Sequence, residues 1–286
     1  MKSLIRYLLF MIVFAMFYVG LGDVIISPLL TGYHFSALSL FGLILVILVS
    51  LYLLNHGYFI VGITFWYLSS LTYFILLPET TPSGYVLNIL IALISIPTAF
   101  MIGFLLAIGR ANHSIITLRF FCVGLVKLIR GIPLLGLLFF VITVGSKLIP
   151  ESWIVSSFTT AWMTISLFAG VYLSDIFYAG LRAYPKQLDE SALSLGFTPF
   201  QALRLIKLPW VVQKTLPSAT NIYVGLFKET SLLLILGLYD LLGVMQNTLN
   251  TLNQESLTIY FYLYVGVCFW IGAKAIHTLG RHILIK

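Results

Sequence analysis

Residues 86–109, VLNILIALISIPTAFMIGFLLAIG, run twenty-four positions without one Asp, Glu, Lys or Arg. About 20 apolar residues in a helix cross the hydrocarbon core of a bilayer. A helix also satisfies its own backbone there, where no water can. Seven further apolar runs of comparable length lie at 4–22, 36–54, 58–77, 120–145, 155–181, 216–244 and 256–278. Only 9% of the 286 residues are charged, against about 25% in a soluble domain. The expectation is an all-α polytopic membrane protein with about eight transmembrane helices and lipid as its main solvent.

The first run follows Lys2 and Arg6, as in a signal peptide, but no A-x-A-like site precedes Asp23. A retained first span is the reading. With eight spans, Lys2, Arg6, Arg110, Arg119, Arg182, Lys186, Arg204, Lys207, Lys214, Lys274, Arg281 and Lys286 fall on one side. The other side holds Asp23, Glu79, Glu151 and Glu255, with Lys147 as its base. The positive-inside rule places both termini in the cytoplasm. The net charge of +7 therefore describes topology rather than an affinity for nucleic acid. Cys122 and Cys268 form no CxxC pair, and the five histidines show no ligand spacing, so no metal is assigned.

The loop LPETTPSGY, Leu77 to Tyr85, marks a boundary between residues 1–85, three accessory spans, and 86–286, a core of five. A charged loop, 182–215, interrupts the core. It reads as two short helices. Pro185 suits the first turn of one, with Asp189 and Glu190 where the helix dipole favours acids. Gly196 stops that helix. Thr198-Pro199 is an N-cap and first position for the second, which Pro209 ends. Two readings fit such a knob: a basic loop that binds lipid head groups, or a docking element for a cytoplasmic partner.

The spacing Glu190, Ala192, Gly196, Ile206, Leu208, Pro209 resembles the EAA loop, E-A-A-x3-G-x9-I-x-L-P, of permease subunits in bacterial ABC importers. Ser191 replaces the first alanine. RGIPLLGLLFF from Arg130, YLSDI from Tyr172 and LPSATNIYVGLFKETSLLLILGLYDLL from Leu216 are similar to segments of the polar amino-acid permeases in that superfamily. Lys127 stands where an acid is usual, Tyr178 where an arginine is common, and Asp175 and Glu229 exchange acid lengths. The resemblance covers about 86–281. It implies a type I ABC importer permease core behind three leading spans, in a bacterial inner membrane. It implies coupling by Glu190, Ser191, Ala192, Gly196, Ile206, Leu208 and Pro209. It also implies two ATPase subunits, a second permease, identical or homologous, and an extracytoplasmic amino-acid-binding protein. No G-x4-G-K-[ST] occurs in the chain, so the expected nucleotide site belongs to the partners and no cofactor is assigned here.

Lys228 and Glu229 lie among apolar neighbours, where a charge costs about 2.5–3.5 kcal/mol on insertion scales. Adjacent residues point about 100° apart on a helix, so each needs its own partner. Asp175 is one candidate for Lys228; a zwitterionic amino acid is another match. Thr230 and Ser231 offer hydroxyls to a ligand and equally allow close helix packing. Asn221 serves either a ligand or a neighbouring backbone. Arg130-Gly131-Ile132-Pro133 is expected to kink or break its span, with a structural or gating role. The alternative to an ABC permease is a stand-alone, ion-coupled secondary transporter. A membrane-embedded enzyme would need a clustered nucleophile or metal set, which the sequence does not offer.

Overall fold

A computed structural model describes residues 83–112, 115–145, 147, 156–252 and 257–284. The chain divides at Leu76 into two units, and the described residues all belong to the second, Leu77–Lys286. The three leading spans expected at 4–22, 36–54 and 58–77 lie outside the described residues. The described residues are helical; one isolated bridge pairs Gly84 with Asp240.

The elements in order are α1 (Gly84–Ala111), α2 (Ile116–Arg130), α3 (Leu134–Phe140), α4 (Ser157–Ala183), α5 (Lys186–Ser194), α6 (Pro199–Ala202), α7 (Leu208–Glu229), α8 (Leu241–Leu252) and α9 (Thr258–Leu284). A π-helical turn, Val141–Gly145, extends α3, and another, Leu203–Lys207, joins α6 to α7. A 3-10 segment, Thr230–Leu236, continues α7. Among the described residues, four helical segments are long and apolar enough to cross a membrane: Gly84–Ala111, Ser157–Ala183, Leu203–Leu236 and Thr258–Arg281. The pair Ile116–Arg130 and Leu134–Gly145 is long and apolar enough only when taken together, and it is bent by 101° at its break. The break falls at Gly131–Pro133, where the sequence places it. Pro133 is extended (φ −65°, ψ 145°) and serves as the N-cap of α3.

Two expectations are corrected. Pro209, expected to end the second short helix, instead sits in the first turn of α7, and helix continues through to Leu236. Proline clashes with the carbonyl of the turn before it; here that turn is the widened Leu203–Lys207 π segment, which relieves the clash. The span expected at 216–244 accordingly begins at Leu203 and stops at Gly237, whose φ is 74°. Lys207 and Lys214 make the sequence look like loop there, although both lie on helix.

The core packs around α1 and α4. Thr98 accepts a hydrogen bond from Trp162 Nε1 (3.1 Å), and Arg110 donates to Ser174 (3.1 Å). The contacts rise together along both helices, so the two run parallel. Glycine allows their closest approach: a Cβ on Gly103 would lie 2.7 Å from the Gly170 carbonyl oxygen. Small residues at helix crossings are how membrane bundles bring backbones together, since lipid offers no hydrophobic drive between helices. Leu87, Ile91, Ile165 and Leu173 are fully buried in this layer. At the far side α9 closes on α1 and α7 through Tyr85, Phe227 and Phe269, and the Tyr85 hydroxyl donates to the Cys268 carbonyl (2.7 Å).

Candidate functional site

The loop between α4 and α7 is a built elbow. Helix α5 closes with a paired bond set: Phe197 N–H donates to the Ala192 carbonyl (3.1 Å) and Gly196 N–H to that of Leu193 (3.0 Å). This closure needs a left-handed residue after the C-cap, and Gly196 supplies it with φ 84°. The next helix starts with a reciprocal cap. Gln201 N–H donates to Thr198 Oγ1 (3.3 Å), and Thr198 N–H donates to Gln201 Oε1 (2.8 Å). Both ends of the turn are therefore fixed by sequence-local bonds.

The residues singled out from the EAA resemblance spread over this elbow. Glu190, Ser191, Gly196 and Pro209 are exposed, Ile206 and Leu208 are half-buried, and Ala192 is buried. Exposed leucines accompany them: Leu193 at 52%, Leu195 at 77% and Leu205 at 60%. An amphiphilic surface of this kind suits contact with another protein. The base of the elbow is braced. Lys207 Nζ donates to Asp189 Oδ2 (3.0 Å) and lies 4.8 Å from the Tyr184 ring centre, while Tyr184 packs edge-on against Trp210 at 5.3 Å.

Within the spans, the candidate pathway residues separate into different places. Lys228 and Ser231 line an open cavity of about 470 Å³ with Val265, Gly266, Phe269 and Trp270. Glu229 and Asn221 are not among its lining residues. Neither Lys228 nor Glu229 has an ion-pair partner among the described residues. Thr230 is fully buried: its hydroxyl donates to the Phe227 carbonyl (2.7 Å) and accepts from Asn88 (2.9 Å). It packs the bundle rather than facing a cavity.

Asp175 does not meet Lys228. It bonds Arg110 (2.6 Å) through one carboxylate oxygen and Arg130 through the other. Arg110 also lies over the Tyr178 ring and Arg130 over that of Tyr172. Two arginines claim the one acid, and they tie the end of α1, the break after α2 and the C-terminal third of α4 together. Arg130, Gly131 and Pro133 are themselves exposed at that break.

Sequence reasoning missed Asn88 and Asp240. Both are fully buried. Asn88 Nδ2 donates to Thr230 and to Asp240 Oδ2 (3.3 Å), and its Oδ1 accepts from Leu241 N–H (3.0 Å). Asp240 Oδ1 accepts from Gly243 N–H (2.9 Å), capping α8. The signal was available: an acid in an apolar run must find donors, and Asp240 was the one acid of its span without an assigned role.

The described residues form a multi-pass helical bundle with a broken span, small-residue crossings and a capped, amphiphilic elbow. The chain belongs to the family of binding-protein-dependent transport system inner membrane components, whose model matches residues 66–283. It is therefore a multi-pass inner-membrane protein. It is 29% identical over 189 residues to the glutamate/glutamine/aspartate/asparagine transport system permease protein BztC of Rhodobacter capsulatus, covering 66% of this chain and 43% of that one. It is 30% identical over 188 residues to the inner membrane amino-acid ABC transporter permease protein YhdY of Escherichia coli K12, covering 66% and 51%. The matched stretch thus spans about half the length of these relatives. A solved amino acid ABC transporter with histidines shares the fold, with a TM-score of 0.60 at 20% identity over 70% of this chain and 91% of that one. The type I ABC importer permease core expected from the sequence is the fold observed.

Proposed function

We propose that this chain is the membrane-spanning permease subunit of an ATP-driven amino-acid uptake system. It works with two separate ATPase subunits, a second permease chain, identical or homologous, and an extracytoplasmic amino-acid-binding protein. The elbow faces the cytoplasm, as do both termini, and the nucleotide is held by the ATPase partners. ATP draws the two motors together and the elbow moves with them. The spans then open outward to receive ligand from the binding protein, and hydrolysis returns them inward.

The observation that supports this most is the elbow itself, a turn fixed by Gly196 and Thr198 that holds Glu190, Ser191 and three exposed leucines out of the bundle. A loop that merely set topology would need basic charge and no such closure. The names of the relatives support amino acids as the substrate class. Lys228 and Ser231, at the cavity between α7 and α9, match the carboxylate of such a substrate. Reconstitution in liposomes tests the reading. Uptake of a radiolabelled mixture of proteinogenic amino acids should require ATP, an ATPase partner and a binding protein. Uptake by the chain alone, driven by an ion gradient, would replace this reading with that of a secondary carrier.

A further inference from the structure

The elbow turns at a single glycine, and a set of side chains spans that turn. Gly196 lies between α5 and α6, exposed, with open space around its α-carbon. No side chain packs on the turn at that residue. Yet Asp189, seven residues before Gly196, is bonded to Lys207, eleven residues after it. Lys207 also caps the face of Tyr184, the residue that ends α4. Tyr184 is buried, with its ring edge-on to Trp210 at the start of α7. Four side chains from α4, α5 and the entry to α7 thus meet at one node. The π turn Leu203–Lys207 adds one residue to that turn of helix and so resets the direction of the side chains beyond it, Trp210 among them.

We infer that Lys207 is a positioning residue for coupling, and that with Asp189, Tyr184 and Trp210 it forms a brace across the Gly196 turn that makes α5 move as one body with α4 and α7. The inference rests on the proposed function, because a brace matters only if α5 is pushed by a motor. The exposed surface of α5 would contact the ATPase, while the brace decides how much of the push reaches the spans. Without it, α5 rocks on Gly196 and the motors cycle without moving α4 or α7.

The test uses the full transporter, with its ATPase and binding protein, in liposomes. Uptake of the labelled amino-acid mixture and ATP hydrolysis are measured together. Lys207→Glu should keep assembly and ATP hydrolysis but lower uptake per ATP by about tenfold, within the ordinary range of coupling between sites. Lys207→Arg should behave as the parent. The exchanged pair Asp189→Lys with Lys207→Asp should recover most of the lost ratio. An unchanged ratio in Lys207→Glu overturns the brace while leaving the permease reading intact. A Lys207→Glu chain that fails to assemble, with a well-assembled exchanged pair that still does not couple, overturns it too. A parent chain that recruits no ATPase overturns both.

Discussion

The side-chain amide of Asn88 donates to the Thr230 hydroxyl oxygen at 2.9 Å, joining positions 142 residues apart in the chain. The same amide reaches Asp240, and the Asn88 carbonyl oxygen takes the Leu241 N–H. One buried residue of α1 thereby fixes both the end of helix α7 and the start of α8. Lys228 and Ser231 flank Thr230, so this bond also sets the frame from which they reach the cavity.

Asn88→Leu should destabilise the protein by about 2 kcal/mol, because it leaves the buried Thr230 and Asp240 groups short of a donor. Thermal unfolding in detergent reads this directly. A change of a few tenths would mean that water or a rearranged Asp240 replaces the amide.

Asp175 should behave as the shared anchor of two arginines. Its side chain is 30% exposed and that of Arg110 only 15%, so the pair is partly shielded but not dry. In a double-mutant cycle, Asp175→Asn and Arg110→Gln should couple by about 1 kcal/mol. A coupling near zero would show that Arg110 is held by Tyr178 and Ser174 instead.

Much of the bundle is legible in the sequence because bilayer thickness leaves few choices. The runs 86–109 and 155–181 differ from the observed helices by a few residues at each end. The stop at Gly196 and the start at Thr198 are legible because left-handed closure and capping are local chemistry. The α7 span is not. Counting hydropathy discards Lys207, Lys214 and Pro209, yet a helix can carry lysines at its end, and a π turn can carry a proline into it. The ion pairs are misread for a related reason. Asp175 has several basic candidates, and sequence alone does not show that Gly103 and Gly170 bring Arg110 within reach.

Lys228 separates a pathway role from a packing role. It is exposed and has no ion-pair partner among the described residues. Lys228→Gln should leave thermal stability unchanged while lowering uptake by about tenfold or more, the loss expected for a hydrogen bond to a charged group. Unchanged uptake with a lowered unfolding temperature would assign Lys228 to the bundle.

Gly196→Trp tests the turn. The backbone there has φ 84° and open space at the Cβ position, so the cost is strain of about 1–2 kcal/mol rather than a core clash. The variant should insert and assemble, yet hydrolyse ATP without transport. Normal transport with normal stimulated hydrolysis would remove the turn from the mechanism.

Labelling of a cysteine placed at Leu195 asks whether the elbow is a handle on the cytoplasmic side, gripped by a separate ATPase. Leu195 is 77% exposed, whereas Cys122 and Cys268 are buried at 5% and 3%, so background is low. In membranes from cells, Leu195→Cys should react with an impermeant maleimide only when the cytoplasmic face is accessible, and bound ATPase should protect it. Reaction from the external face, or reaction undiminished by the ATPase, would contradict the account.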